Sequence, residues 1–88
     1  MGKYEKFIKQ IVGGQADANI SFNDLCALLA HLNFEMRISG SHHIFRKAGI
    51  EEKINLQKDG NKAKPYQVKQ VRNMLLKYKI EVKTDGQI

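Results

Sequence analysis

FEMRISGSHHIFRK, residues 34–47, decides how this chain folds. Before it, apolar residues recur at the three-to-four spacing of helices. Within it they alternate, which is the two-residue period of a half-buried strand. Phe34, Met36 and Ile38 are expected to point one way, and Glu35, Arg37 and Ser39 the other. Ser39-Gly40-Ser41 reads as a tight turn, and HHIFRK, 42–47, as the returning strand of a hairpin. One face of that strand carries His42, Ile44 and Arg46, the other His43 and Phe45. Phe45 is the larger apolar side chain and is expected under the helices. That leaves His42 and Arg46 on an open face, beside Arg37 and near Lys53 and Asn55. The opposite choice, with Ile44 in the core, would exchange the two histidines.

Towards the N-terminus, YEKFIKQIVGG (4–14) sets Tyr4, Phe7, Ile8, Ile11 and Val12 along one helix face, and Gly13-Gly14 stops it. SFNDLCALLAHLNF (21–34) is a second helix, with Ser21 as N-cap and Asp24 in the capping-box position. Its buried stripe is Leu25, Leu28, Leu29 and Leu32, and Asn33 suits a left-handed C-cap. Towards the C-terminus, KINLQ (53–57) is a third strand that buries Ile54 and Leu56 and exposes Lys53, Asn55 and Gln57. KDGNKAK (58–64) reads as a lysine-rich loop turning at Asp59-Gly60. Pro65 opens a last helix with the stripe Val68, Val71, Leu75 and Tyr78, and 81–88 is expected to be a frayed polar tail.

The expected fold is α+β in two layers: a three-stranded antiparallel sheet with helices on one face. Residues 1–88 make a single domain, in which the helix at 1–14 is an addition to a core spanning 21–80.

Net charge is +6, and all of the excess lies after Asn33, where twelve basic residues face six acidic ones. Such asymmetry points to a polyanionic partner, most simply phosphates, against the plainer reading of a solvated lysine-rich surface. Cys26 is the single cysteine, so no internal disulfide can form. With no apolar run of membrane-spanning length and no signal-peptide core, the expected location is the cytoplasm, with no membrane partner.

Several chemistries find no support. GNKAK lacks the spacing of a phosphate-binding P-loop, and Ser39 and Ser41 lack a nucleophile-elbow context. Adjacent strand histidines point to opposite faces, so no metal site is expected, and nothing suggests a small-molecule cofactor. His31, late in the second helix, suits its C-terminus, and Cys26 reads as a small packed residue. An exposed histidine among cations has a use: it can take a proton from a ribose 2′-OH or give one to a leaving oxygen, while guanidiniums neutralise phosphoryl charge. The plainer alternative is that both histidines are ordinary strand residues.

LCALLAHLNFEMRISGSHHIFRK together with INLQKDGNKAKPYQVKQVRNMLLKY resembles the HicA family of toxin mRNA interferases, over about Phe22 to Ile80. Gly40, Ser41 and His42 fit the family's Gly-Ser-His core, and Phe45 its aromatic position. The resemblance implies a double-stranded-RNA-binding-domain-like fold, metal-independent cleavage of mRNA with His42 as the catalytic residue, and a HicB-type antitoxin that covers the site. His43 is the weaker candidate. Arg37, Arg46, Lys53, Lys62, Lys64 and Lys69 are the expected RNA contacts. The N-terminal helix, and RKAGI where many relatives have His-Pro, depart from the family pattern. A non-catalytic RNA-binding module on the same fold is the alternative function.

Overall fold

The computed structural model describes residues 3–14 and 16–80, so the tail expected to fray lies outside the described residues. Helix α1 (Lys3–Gly13) leads through a 3₁₀ turn (Asp17–Asn19) to α2 (Phe22–His31). Strands β1 (Glu35–Ser39), β2 (His42–Lys47), β3 (Ile50–Asp59) and β4 (Lys62–Ala63) follow, and α3 (Pro65–Lys77) is the last element of the described residues. The fold is α+β, with one antiparallel sheet in the order β1-β2-β3-β4.

The sheet has four strands where the sequence predicts three. β3 runs through Asp59 instead of stopping at Gln57, turns at Gly60-Asn61, and returns as β4 with Lys58 opposite Ala63 and Asp59 opposite Lys62. A lysine-rich segment shows no apolar alternation, so its pairing is invisible to pattern reading. Here the backbone supplies the reason. Ala63 N–H donates to the Ile20 carbonyl at 2.9 Å, and Phe22 N–H to the Asn61 carbonyl at 3.1 Å. The segment entering α2 thereby satisfies the outer side of β4.

Caps hold α2 as its sequence requires. Ser21 Oγ accepts from the Asp24 N–H at 3.2 Å. At the other end Asn33 takes φ +70°. Its N–H donates to Ala30 O and that of Phe34 to Leu29 O, a Schellman closure that delivers Phe34 into the core and starts β1. Lys47 Nζ donates to Leu32 O at 2.6 Å, so a β2 ammonium answers the last carbonyls of α2. Gly40 and Ser41 form the two-residue turn between Ser39 and His42. Positive φ at Gly40 (+61°) and not at Ser41 is the pattern of a type II′ turn, whose first position favours glycine.

Helices α2 and α3 cover the sheet face carrying His43, Phe45, Ile54 and Leu56. Leu25, Leu28 and Leu29 meet Val68, Val71, Met74 and Leu75 there, all buried. Each such side chain contributes about 1.5–3 kcal/mol by leaving water. α1 joins the same core through Ile8 and Ile11. Arg72 on α3 fastens it by donating through Nη1 to both Asp17 oxygens (2.9 and 3.1 Å) and to Ile11 O (3.3 Å).

Two aspects of burial go beyond the pattern. Met36 and Ile38 point to the helix side but are 51% and 57% exposed, because β1 lies beyond the reach of both helices. On α3 the stripe includes Gln67 and Met74, while Tyr78 is the half-buried C-cap residue. Gln67 is 3% exposed, and its Oε1 accepts the Gln57 N–H at 2.9 Å. Gln70 Nε2 donates to Lys53 O at 3.3 Å. Together they satisfy part of the β3 edge that β4 is too short to cover.

Candidate functional site

The uncovered sheet face is built by alternation and register. Glu35 lies opposite Arg46, Arg37 opposite Ile44, and Ser39 opposite His42. On the far side Ile44 lies opposite Asn55 and His42 opposite Gln57. His42, Ile44 and Arg46 therefore share this face with Arg37, Asn55 and Gln57, while His43 goes under the helices with Phe45. Of the two expected arrangements, the one with Phe45 in the core holds, and Phe45 is 1% exposed.

His42 is half-buried, and its Nδ1 lies 3.0 Å from the Asn55 side-chain oxygen. With that oxygen accepting, Nδ1 carries the proton and Nε2 keeps a lone pair for an incoming one. Beside it runs a second chain of contacts. Lys64 Nζ donates to Gln57 Oε1 at 3.3 Å, and Gln57 Nε2 to Ser41 Oγ at 3.0 Å. Gln57 thus draws the ammonium at the start of α3 onto the open face next to the imidazole.

The other cations stand apart. Arg37, Arg46 and Lys53 line a shallow depression of about 420 Å³ with Glu35, Met36 and Ile44. Arg46 lies four residues from His42, about 13 Å along the strand, which suits it to a neighbouring phosphate more than to the group that His42 touches. Arg37, diagonal to His42 across the β1–β2 pair by about 7–8 Å, lies within reach of a long side chain. The site divides into a proton-handling end (His42, Asn55, Ser41, Gln57, Lys64) and a basic end two to four residue pairs away. Lys62 on β4 and Lys69 on the second turn of α3 are exposed. Lys64 is tied to this face through Gln57.

No model of a known protein family, no curated protein and no solved structure matches the chain.

The remaining candidates are placed as follows. His43 stands edge-on to Phe22, ring centroids 5.0 Å apart, and its buried Nδ1 has no hydrogen-bond partner among the described residues. His31 is exposed and stacks on Tyr4 at 4.3 Å. Cys26 is partly buried, and burial pushes its thiol up to about 11, with Lys58 opposing weakly. Glu52 faces the helices and accepts from Lys77 Nζ at 2.7 Å and the Tyr78 hydroxyl at 2.6 Å. The Lys77 bond first, then the Tyr78 bond, holds its carboxyl down at about 2. Among the described residues no three His, Cys, Asp or Glu side chains gather as metal ligands would. Nor is any described helix long and apolar enough to cross a membrane.

Sequence reasoning placed Asn55 near His42 and Gln57 on the same exposed side of its strand, but made neither of them a partner of the site. The signal was there: both are polar residues at alternate positions of a strand whose intervening residue, Leu56, is apolar.

Proposed function

We propose that this protein is a metal-independent endoribonuclease, the toxin of a HicA-type toxin–antitoxin pair, with His42 as its acid–base residue. One observation carries the reading: a half-buried imidazole on an uncovered sheet face, held through Nδ1 by Asn55 with cations beside it. The order α2-β1-β2-β3-α3, with both helices on one face, also supports a double-stranded-RNA-binding-domain-like fold; β4 and α1 elaborate it.

The chemistry follows from the atoms available. Nε2 of His42 takes the proton of a ribose 2′-OH, and that oxygen forms a bond to the adjacent phosphorus. The bond from phosphorus to the 5′-oxygen breaks, and the leaving oxygen takes a proton from a water whose hydroxide in turn takes the proton held by His42. The products are a 2′,3′-cyclic phosphate and a 5′-hydroxyl. Charge developing on the phosphoryl oxygens is met by Lys64 and, diagonally, by Arg37. Arg46 and Lys53 hold the RNA backbone away from the reacting phosphate, and Lys62 and Lys69 add long-range attraction. Gly40 and Ser41 act by shaping the turn that presents His42. A HicB-type antitoxin with an acidic surface would silence the protein by covering this face.

The test compares RNA cleavage by the wild type and by His42→Ala in EDTA. Wild type should cleave, and His42→Ala should lose about 10²–10⁴ in rate while retaining RNA binding. Replacing Lys62, Lys64 and Lys69 together with glutamine should weaken binding and flatten its salt dependence. Equal cleavage by His42→Ala overturns the catalytic role. Binding without any cleavage by the wild type would leave the RNA-binding module as the function.

A further inference from the structure

We propose that β1 is a self-association edge, through which two copies of this chain pair antiparallel about a twofold axis at Met36 and join their sheets into one. Among the described residues β1 has only β2 as a neighbour, and all five of its residues are exposed. Edge strands are usually blunted by charged side chains, above all lysine, by proline or by a bulge. β1 has neither lysine nor proline, its two charges Glu35 and Arg37 are of opposite sign, and it pairs with β2 in unbroken register from Glu35 to Ser39. It instead presents Met36 and Ile38, at 51% and 57% exposure, on one side of the sheet.

The backbone points the same way. Ser39 and His42 close a two-residue turn, and the closing pair of such a hairpin is hydrogen-bonded. Alternation then aims the N–H and C=O groups of Arg37 and Glu35 at β2. Those of Met36 and Ile38 face outward. The free backbone groups and the exposed apolar side chains belong to the same two residues.

Charge selects a second copy as the occupant and selects the register. With the axis at Met36, Glu35 of each copy stands opposite Arg37 of the other. These are non-hydrogen-bonded positions, where Cα atoms approach to about 4.5 Å. Met36 then meets Met36, and Ile38 lies opposite Phe34, whose own N–H stays with Leu29 O. An axis at Arg37 would set the two guanidiniums directly opposite each other, which is destabilising. An axis at Ile38 would leave Glu35 without Arg37. Within its own chain Arg37 has Ile44, not an acid, across from it on β2. The twofold runs perpendicular to the joined sheet, so both helical layers lie on one side and both open faces on the other.

Sedimentation equilibrium across a concentration series tests this directly. The wild type should show a monomer–dimer equilibrium. Glu35→Arg and Arg37→Glu each place like charges opposite one another, and each alone should be monomeric. An equimolar mixture of the two should dimerise, because in the mixed pair every acid again faces a base. In a Cys26→Ala background, Met36→Cys should cross-link on oxidation, since residues on the axis sit about 5.5 Å apart between Cα atoms, within disulfide reach. Ile38→Cys should not. A wild type that stays monomeric would overturn the proposal and leave the edge to a strand from a different protein. So would a dimer indifferent to both charge reversals, or a mixture that remains monomeric.

Discussion

The two adjacent histidines should respond to substitution in opposite ways, and His43→Phe is the more telling change. His43 packs edge-on to Phe22, and its buried Nδ1 finds no partner among the described residues. An orphaned buried acceptor or donor costs about 1–3 kcal/mol, and because the residue as a whole is only half-buried the lower end applies. Phenylalanine keeps the ring and its edge-to-face contact, worth about 0.5–1.5 kcal/mol, and removes the nitrogen. The expected result is a gain of roughly 1 kcal/mol, or about 4–8 °C in Tm for a domain of this size. RNA cleavage per folded molecule should be unchanged. His42→Ala should do the reverse: it gives up one hydrogen bond to Asn55, about 0.5–1.5 kcal/mol, and loses cleavage. Thermal unfolding followed by circular dichroism, with cleavage assayed on the same preparations, separates the two. A lower Tm for His43→Phe, or loss of cleavage in it comparable to His42→Ala, would refute this division of roles.

Three further outcomes follow from other contacts. The Glu52 carboxyl ionises at about 2 instead of its ordinary 4.5, so its stabilisation is complete above pH 4.5 and disappears as the pH falls to about 2. Glu52→Gln should therefore flatten the Tm-against-pH curve across that window, and a curve of unchanged slope would contradict the Lys77–Glu52–Tyr78 contact. Gln67→Leu should destabilise by about 1–3 kcal/mol, because the Gln57 N–H loses its buried acceptor; faster hydrogen exchange at the Gln57 amide is the local check. Burial raises the Cys26 thiol from 9.0 to about 11. At pH 8 iodoacetamide should therefore alkylate it roughly 100-fold more slowly than an ordinary thiol, since the thiolate is the nucleophile, and comparable rates would show that the thiol is not shielded.

What the sequence determined on its own are the features that repeat along the chain. Leu25, Leu28 and Leu29 mark α2 because a helix brings three-to-four neighbours to one side. Ser21 and Asn33 mark its ends because only some side chains satisfy or tolerate a helix terminus. Alternation in HHIFRK assigned His42 and His43 to opposite faces before any partner was known, and the size of Phe45 indicated which face is buried. Tertiary structure decided what depends on distant partners or on reach. Lys58 to Ala63 pair as strands because Ile20 and Phe22 complete their hydrogen bonds, which no local pattern announces. Met36 and Ile38 fit the core pattern yet stay exposed, because a pattern sets the side a residue faces and not whether a helix extends over it. The bonds of Asn55 to His42, of Lys64 through Gln57 to Ser41, and of Arg72 to Asp17 join residues far apart in sequence. Polar side chains like these carry no periodic signal, because a hydrogen bond needs one partner at one distance and not a repeating face.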